Sequence, residues 1–146
     1  MTNPFHPGAT KTHAYVVQPR DFADFGSDTG GLVHSVLSTF ALGRELEWAA
    51  RRFVLEMKAA DEEGIGTELA IQHHAPAFRG ETVVLTATFE ALDGANLRCA
   101  VEARVGARLV ATGHTGQRIV SRARLAARFA ALHAAAAAPA PPEPNP

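Results

Sequence analysis

A single cysteine, Cys99, stands in 146 residues, so the chain cannot close an internal disulfide. A reducing compartment, the cytoplasm, is the expected setting. Long apolar runs are also missing. No window approaches the twenty uninterrupted apolar residues of a membrane span, and the start, "MTNPFHPGATKTHAYVVQ", lacks the apolar stretch of a secretion signal. Nor is there an excess of either charge: 14 basic against 15 acidic side chains leave a net charge of −1, which argues against electrostatic binding of nucleic acid. Seven histidines invite a metal reading, but no Cys/His spacing supports zinc, and His73 and His74 point to opposite sides of one strand. No metal, no membrane and no nucleic-acid partner is expected.

What is present is ordinary globular material, 47% hydrophobic and 20% charged, enough for one domain with a core. A short strand, Ala14 to Gln18, ends at Pro19. The loop "RDFADFGSDTGG" follows and carries two phenylalanines, Phe22 and Phe25, with two readings: a lid, or a plug at the core edge. From Ser35 to Ala60 runs the one long helical pattern. Val36, Thr39, Leu42, Gly43, Leu46, Ala49, Ala50, Phe53, Val54 and Met57 fill one arc, and Arg44, Glu45, Arg51, Arg52, Glu56 and Lys58 the other. Glu47 falls on the border between them. Four strand-like runs come next: Thr67–Ala75, Glu81–Leu92, Asn96–Val105 and Arg108–Val120. Gly64 and Gly66 read as the turn before them, and "LDGAN" as a tight hairpin. Leu125, Phe129 and Leu132 lie at helical spacing near the end. The division is a domain over residues 1–132 and a disordered Ala/Pro-rich tail over 133–146. Short connections favour antiparallel neighbours, which makes an α+β pattern. One helix cannot cover both faces of such a sheet, so a homodimer or larger homo-oligomer is expected.

Three residues interrupt the apolar surfaces that must pack together. Thr39 lies within the buried helix arc, Glu47 borders it, and His73 is in phase with Leu69 and Ile71 on a strand. Taken singly, each has a structural explanation: a threonine bonded to its own backbone, a border carboxylate paired with Arg44 or Arg51, a hydrogen-bonded core histidine. Taken together, a carboxylate and an imidazole facing each other suit general-base work. Regular helix separates Thr39 from Glu47 by about 12 Å, so the two cannot touch if both are helical.

The stretches "STFALGRELEWAARR", "GTELAIQHHAPAFRGETVVLTATFE" and "GQRIV" resemble the fluoroacetyl-CoA thioesterase family of hotdog-fold proteins, over roughly Tyr15 to Phe129. The resemblance implies an antiparallel sheet wrapped around one long central helix in a dimer. It also implies that Thr39, Glu47 and His73 together hydrolyse an acyl-CoA thioester. CoA then enters as part of the substrate, and no cofactor is expected. Where the fluoroacetyl-specific enzyme has an aromatic gate, this chain has Val33, followed by His34, so another small acyl group is implied. The family's last-strand histidine is replaced by Gly116, with His114 two residues earlier as a rival base.

In the chemistry so implied, Glu47 attacks the carbonyl to give an anhydride or deprotonates water, and His73 activates water in either route. Backbone N–H groups at the helix N-terminus, near Thr39, receive the oxyanion. Arg79 and Arg118 are candidates for the phosphates of CoA. Two rival functions remain open: a hotdog hydratase or dehydratase on acyl-CoA or acyl-carrier substrates, and a non-catalytic acyl-CoA-binding module.

Overall fold

A computed structural model describes residues 1–26 and 30–136. In chain order the elements are β1 (Thr10–Val16), a 3-10 turn (Pro19–Asp21), β2 (Phe22–Asp24), β3 (Leu32–Leu37), α1 (Thr39–Met57), β4 (Glu62–His73), β5 (Thr82–Asp93), β6 (Asn96–Val105), β7 (Arg108–Ser121) and α2 (Arg122–Ala136). Five strands form one antiparallel sheet in the order β1-β5-β6-β7-β4, and β2 and β3 form a separate two-stranded ribbon.

The alternation in β5 and β6 does what the sequence predicts. Val83, Leu85, Ala87 and Phe89, with Leu97, Cys99, Val101 and Ala103, are buried on one sheet face. Across that face lies α1, which contributes Leu42, Leu46, Ala49, Ala50, Phe53, Val54 and Met57. Phe53 is the centre of this layer, packed edge-on against Phe5 at 4.9 Å and Phe89 at 5.7 Å between ring centroids. Among the described residues no helix is laid across the middle of the other sheet face.

The structure corrects the expected helix start. Residues 32–37 are strand, not helix, and Val36 pairs with Phe78 rather than facing the core from a helix. Ser38 then caps α1 by accepting the N–H of Ala41 at 3.2 Å. Apolar spacing ran on across this boundary by coincidence; the cap and the β-branched Val33 and Val36 mark it.

The second correction concerns the glycines after α1. Gly64 and Gly66 lie inside β4, not in a turn. A Cβ on Gly64 would come 2.7 Å from Val54 Cγ1, and one on Gly66 would come 2.4 Å from Glu47 Oε1. They are glycines because helix and strand approach too closely there for a side chain.

At the C-terminus α2 buries none of its residues. Residues 133–136 form its last turn, and the remainder of the expected tail, 137–146, lies outside the described residues.

Candidate active site

The helix start at Thr39 resolves the spacing problem in one direction. Thr39 is the first helical residue, and its Oγ1 lies 3.2 Å from Nδ1 of His73, the last residue of β4. The strand face is as expected: Leu69 and Ile71 reach the surface of α1 at Gly43, where an added Cβ would meet them at 3.0 and 3.1 Å. His73, in phase with them, meets the helix N-terminus. His74 faces the other way and bonds Thr112 Oγ1 through Nε2 at 2.8 Å. The Thr39–His73 pair is exposed, with the freed N–H groups of the first helical turn beside it.

Glu47 does not join them within one chain. Its carboxylate rests over Gly66, and its backbone carbonyl accepts Gln117 Nε2 at 3.1 Å. Eight helical residues put it about 12 Å from Thr39 along α1. Gly66 lies seven residues before His73 on the same strand, roughly 20 Å away. Glu47 and His73 are therefore held far apart along the β4 edge.

The two loop phenylalanines divide the alternatives. Phe22 packs on the core, whereas Phe25 is 60% exposed and meets the ring of Phe40 edge-on at 6.1 Å between centroids. Phe40 directly follows Thr39, and Leu32 and Val33 are exposed as well. Residues 27–29, at the tip of that loop, lie outside the described residues.

One cluster went unread in the sequence. Glu45, assigned to the polar arc, is only 8% exposed. Its carboxylate bonds His13 Nε2 of β1 at 2.8 Å and Arg44 Nε at 2.8 Å. Arg44 also donates to the buried Asp21 at 3.0 Å, and Asp21 accepts the backbone N–H of Gln18 at 2.9 Å. Burial, with the charges of Glu45 and Asp21, pushes the Tyr15 hydroxyl well above its usual value. The available signal was Glu45's place between Ala41 and Ala49, one turn away on either side and both buried. Glu45, Glu47, His13 and Trp48 line a shallow cavity of about 450 Å³ beside α1.

Of the remaining candidates, His114 is on the outer sheet face, 3.6 Å from Glu90, and is no rival base for this site. Arg118 projects from that same outer face, in register with Ile65 and Asn96, and Arg79 stands in the turn before Gly80. Neither is brought to the Thr39–His73 pair by a hydrogen bond or ion pair among the described residues. No group of three or more His, Cys, Asp or Glu side chains is arranged for a metal ion among those residues. No helix described is long and apolar enough to cross a membrane.

A long helix lying across a five-stranded antiparallel sheet defines a hotdog-fold protein. The comparisons carry the identification further. Residues 17–123 match the family described as fluoroacetyl-CoA-specific thioesterase, and the chain belongs to that family. A thioesterase superfamily member from Thermus thermophilus is 30% identical, with a TM-score of 0.85 over 91% of this chain and 96% of that one. A point mutant of the fluoroacetyl-CoA-specific thioesterase FlK is 22% identical, with a TM-score of 0.79 over 88% and 98%. A hot-dog-like protein from Thermanaerovibrio acidaminovorans is 22% identical, with a TM-score of 0.76 over 86% and 90%. A search of curated proteins finds no match. The protein is a thioester hydrolase of the acyl-CoA thioesterase class.

Proposed function

We propose that this chain hydrolyses a small acyl-CoA as a homodimer, with Thr39 and His73 of one protomer facing Glu47 of the other. The observation that carries this reading is the separation of Glu47 from Thr39 and His73 beside a strand that is unpaired on one side. β4 is the edge of its sheet, with most of its length exposed and Leu69 46% exposed. Such an edge is a template for pairing with another strand. In β4, Thr67 is the extra residue of a bulge against β7. A two-fold axis through Ala70, with the same bulge counted, sets Gly66 of one protomer opposite His73 of its partner. Both residues face the helix side, so the pairing unites Glu47 with the Thr39–His73 pair twice per dimer.

The chemistry follows from that assembly. The thioester carbonyl oxygen lies against the free N–H groups at the start of α1, which stabilise the oxyanion. In one route a Glu47 oxygen bonds to the acyl carbon, the C–S bond breaks, and CoA leaves as its thiolate. Water, deprotonated by His73, then opens the anhydride and frees the acid. In the other, Glu47 deprotonates the attacking water and the thiolate leaves from the tetrahedral intermediate. The Thr39 hydroxyl orients the His73 imidazole in both. Val33 at the gate position removes the aromatic contact, so we read no preference for fluoroacetyl over acetyl.

A panel of acyl-CoAs assayed with a thiol-reactive dye tests the proposal. Thiol release on short acyl chains, equal for acetyl and fluoroacetyl, is the expected result. Consumption of an enoyl thioester without thiol release would instead identify a hydratase, and binding without turnover an acyl-CoA-binding module.

A further inference from the structure

Six of the twelve arginines are committed to carboxylates. Arg44 holds Asp21 and Glu45, Arg51 and Arg122 hold Glu63, and Arg98, Arg104 and Arg108 pair with Glu90, Glu102 and Glu81. Arg118, Arg124 and Arg128 have no carboxylate partner among the described residues, and all three line one groove. It is a cavity of about 750 Å³ between α2 and the outer side of β4 and β7, with Ile65, Leu125 and Phe129 as its apolar lining. Glu62 is the one carboxylate in that lining. It is already engaged by the N-terminal ammonium at 2.9 Å and by the N–H of Ala59 at 2.9 Å.

This arrangement is unfavourable for the protein alone. Arg124 and Arg128 sit one helical turn apart, where like charges weaken a helix. The first turn of α2 carries Arg122 and Arg124 and no acid, the wrong sign for a helix N-terminus. With a net charge of −1 over the chain, three unpaired guanidinium groups in one groove are a local concentration, not a general excess. Guanidinium is the side chain suited to phosphate, which it meets with two parallel N–H donors. Phe129, 58% exposed beside Leu125, offers an unpaired aromatic face next to those donors.

We propose that this groove binds the 3′-phosphorylated ADP end of the CoA substrate. Arg118, Arg124 and Arg128 take its phosphates, and Phe129 with Leu125 its adenine. The assignment rests on the acyl-CoA reading above and deepens it. Its position fits: Ile65 and Thr67 in the groove flank Gly66, on whose other side the Glu47 carboxylate lies. The groove borders residues 62–65 of β4, which run beyond the last pair of the proposed dimer, so a pantetheine arm would pass that open end to reach the helix side. A ligand with several phosphates and one flat ring matches three cations beside an apolar shelf.

The test is the double variant Arg124→Gln/Arg128→Gln, with Arg124→Lys/Arg128→Lys as the charge-conserving control. Binding of CoA and of 3′-dephospho-CoA is measured by calorimetry, and turnover with acyl-CoA and with the same acyl group on pantetheine. The Gln pair should weaken CoA binding about tenfold or more, the size expected for lost charge-assisted bonds, and raise KM for acyl-CoA in proportion. It should leave kcat within about twofold, since neither residue reaches the thioester. Pantetheine-substrate turnover should not change, and the Lys pair should retain most of the affinity. Equal CoA affinity in wild type and Gln variant would overturn the proposal, as would a parallel loss with the pantetheine substrate. CoA binding is read without turnover, so the two readings fail separately. Arginine-dependent CoA binding with no thiol release sinks hydrolysis alone, and hydrolysis with an unchanged KM in the variant sinks the groove alone.

Discussion

Replacing Gly66 by alanine tests whether the Glu47 carboxylate acts from where it lies. The new Cβ would sit 2.4 Å from Oε1 and 3.2 Å from Cδ of Glu47. Ordinary contact is about 3.5 Å, so the carboxylate must retreat by roughly 1 Å. Gly66 is not among the residues with positive φ, and alanine adopts its backbone without strain. The yielding group is the far end of a flexible side chain, and alanine lowers the entropy of the unfolded chain by about 0.4–1 kcal/mol. Stability should therefore stay within about 1 kcal/mol of wild type. A catalytic group misplaced by about 1 Å loses roughly a hundredfold in rate, and kcat should fall accordingly. Gly64→Ala is the counterpart. Its Cβ would meet Val54 Cγ1 at 2.7 Å inside the core, so it should lower stability by about 1–3 kcal/mol while sparing turnover per folded molecule. Thiol-release kinetics beside thermal melts read both. If Gly66→Ala keeps its kcat within a few-fold, Glu47 is not held in place by Gly66 for catalysis, and the composite site loses its basis.

The two neighbouring histidines should separate in the same assays: His73→Ala loses about a hundredfold or more in kcat/KM, and His74→Ala little. Sensitivity at His74 instead would put the wrong strand face in the site. The N–H of Gly64, with Lys58 and Arg51, holds the Glu63 carboxyl down at about 2 from its ordinary 4.5. A depressed folded value means the stabilisation is complete above about 4.5 and lost as pH falls towards 2. Glu63→Gln should therefore flatten the acid limb of a pH–stability curve in that window, and an unchanged limb would rule the interaction out as its source. Burial, then the Glu90 charge, pushes the Cys99 thiol up to about 12, and the residue is fully buried. A thiol reagent at pH 8 should leave it unmodified until denaturant is added, and rapid labelling of the native protein would contradict the packing around it.

Alternation and spacing are local properties, so what depends on them was legible in residue order. The inward faces of β5 and β6, the buried arc of α1 and the opposition of His73 to His74 all follow from periods of 2 and 3.6. The family resemblance likewise rested on the run from Thr39 through Glu47 to His73. The N-terminal boundary of α1 was misplaced because Val36 continued the helical spacing by chance, while pairing of β3 with β2 decided the matter. Glu45 was misread because its helix position alone does not reveal His13 on β1, 32 residues away in sequence, which makes its burial tolerable. Gly64 and Gly66 read as turn residues for the same reason: a close helix–strand approach is a distance between elements, and residue order carries none.

Residue order by itself singled out Thr39, Glu47 and His73 as candidates and determined that His73 and His74 take opposite faces of their strand. Tertiary structure alone decided which of them meet. Thr39 and His73 come together because the start of α1 and the end of β4 coincide in space, and Glu47 is held apart from them because helix and strand run on rigidly between the two ends. A rise of about 1.5 Å per residue in the helix and about 3.3 Å in the strand turns sequence spacing into a separation that no side chain of one protomer spans.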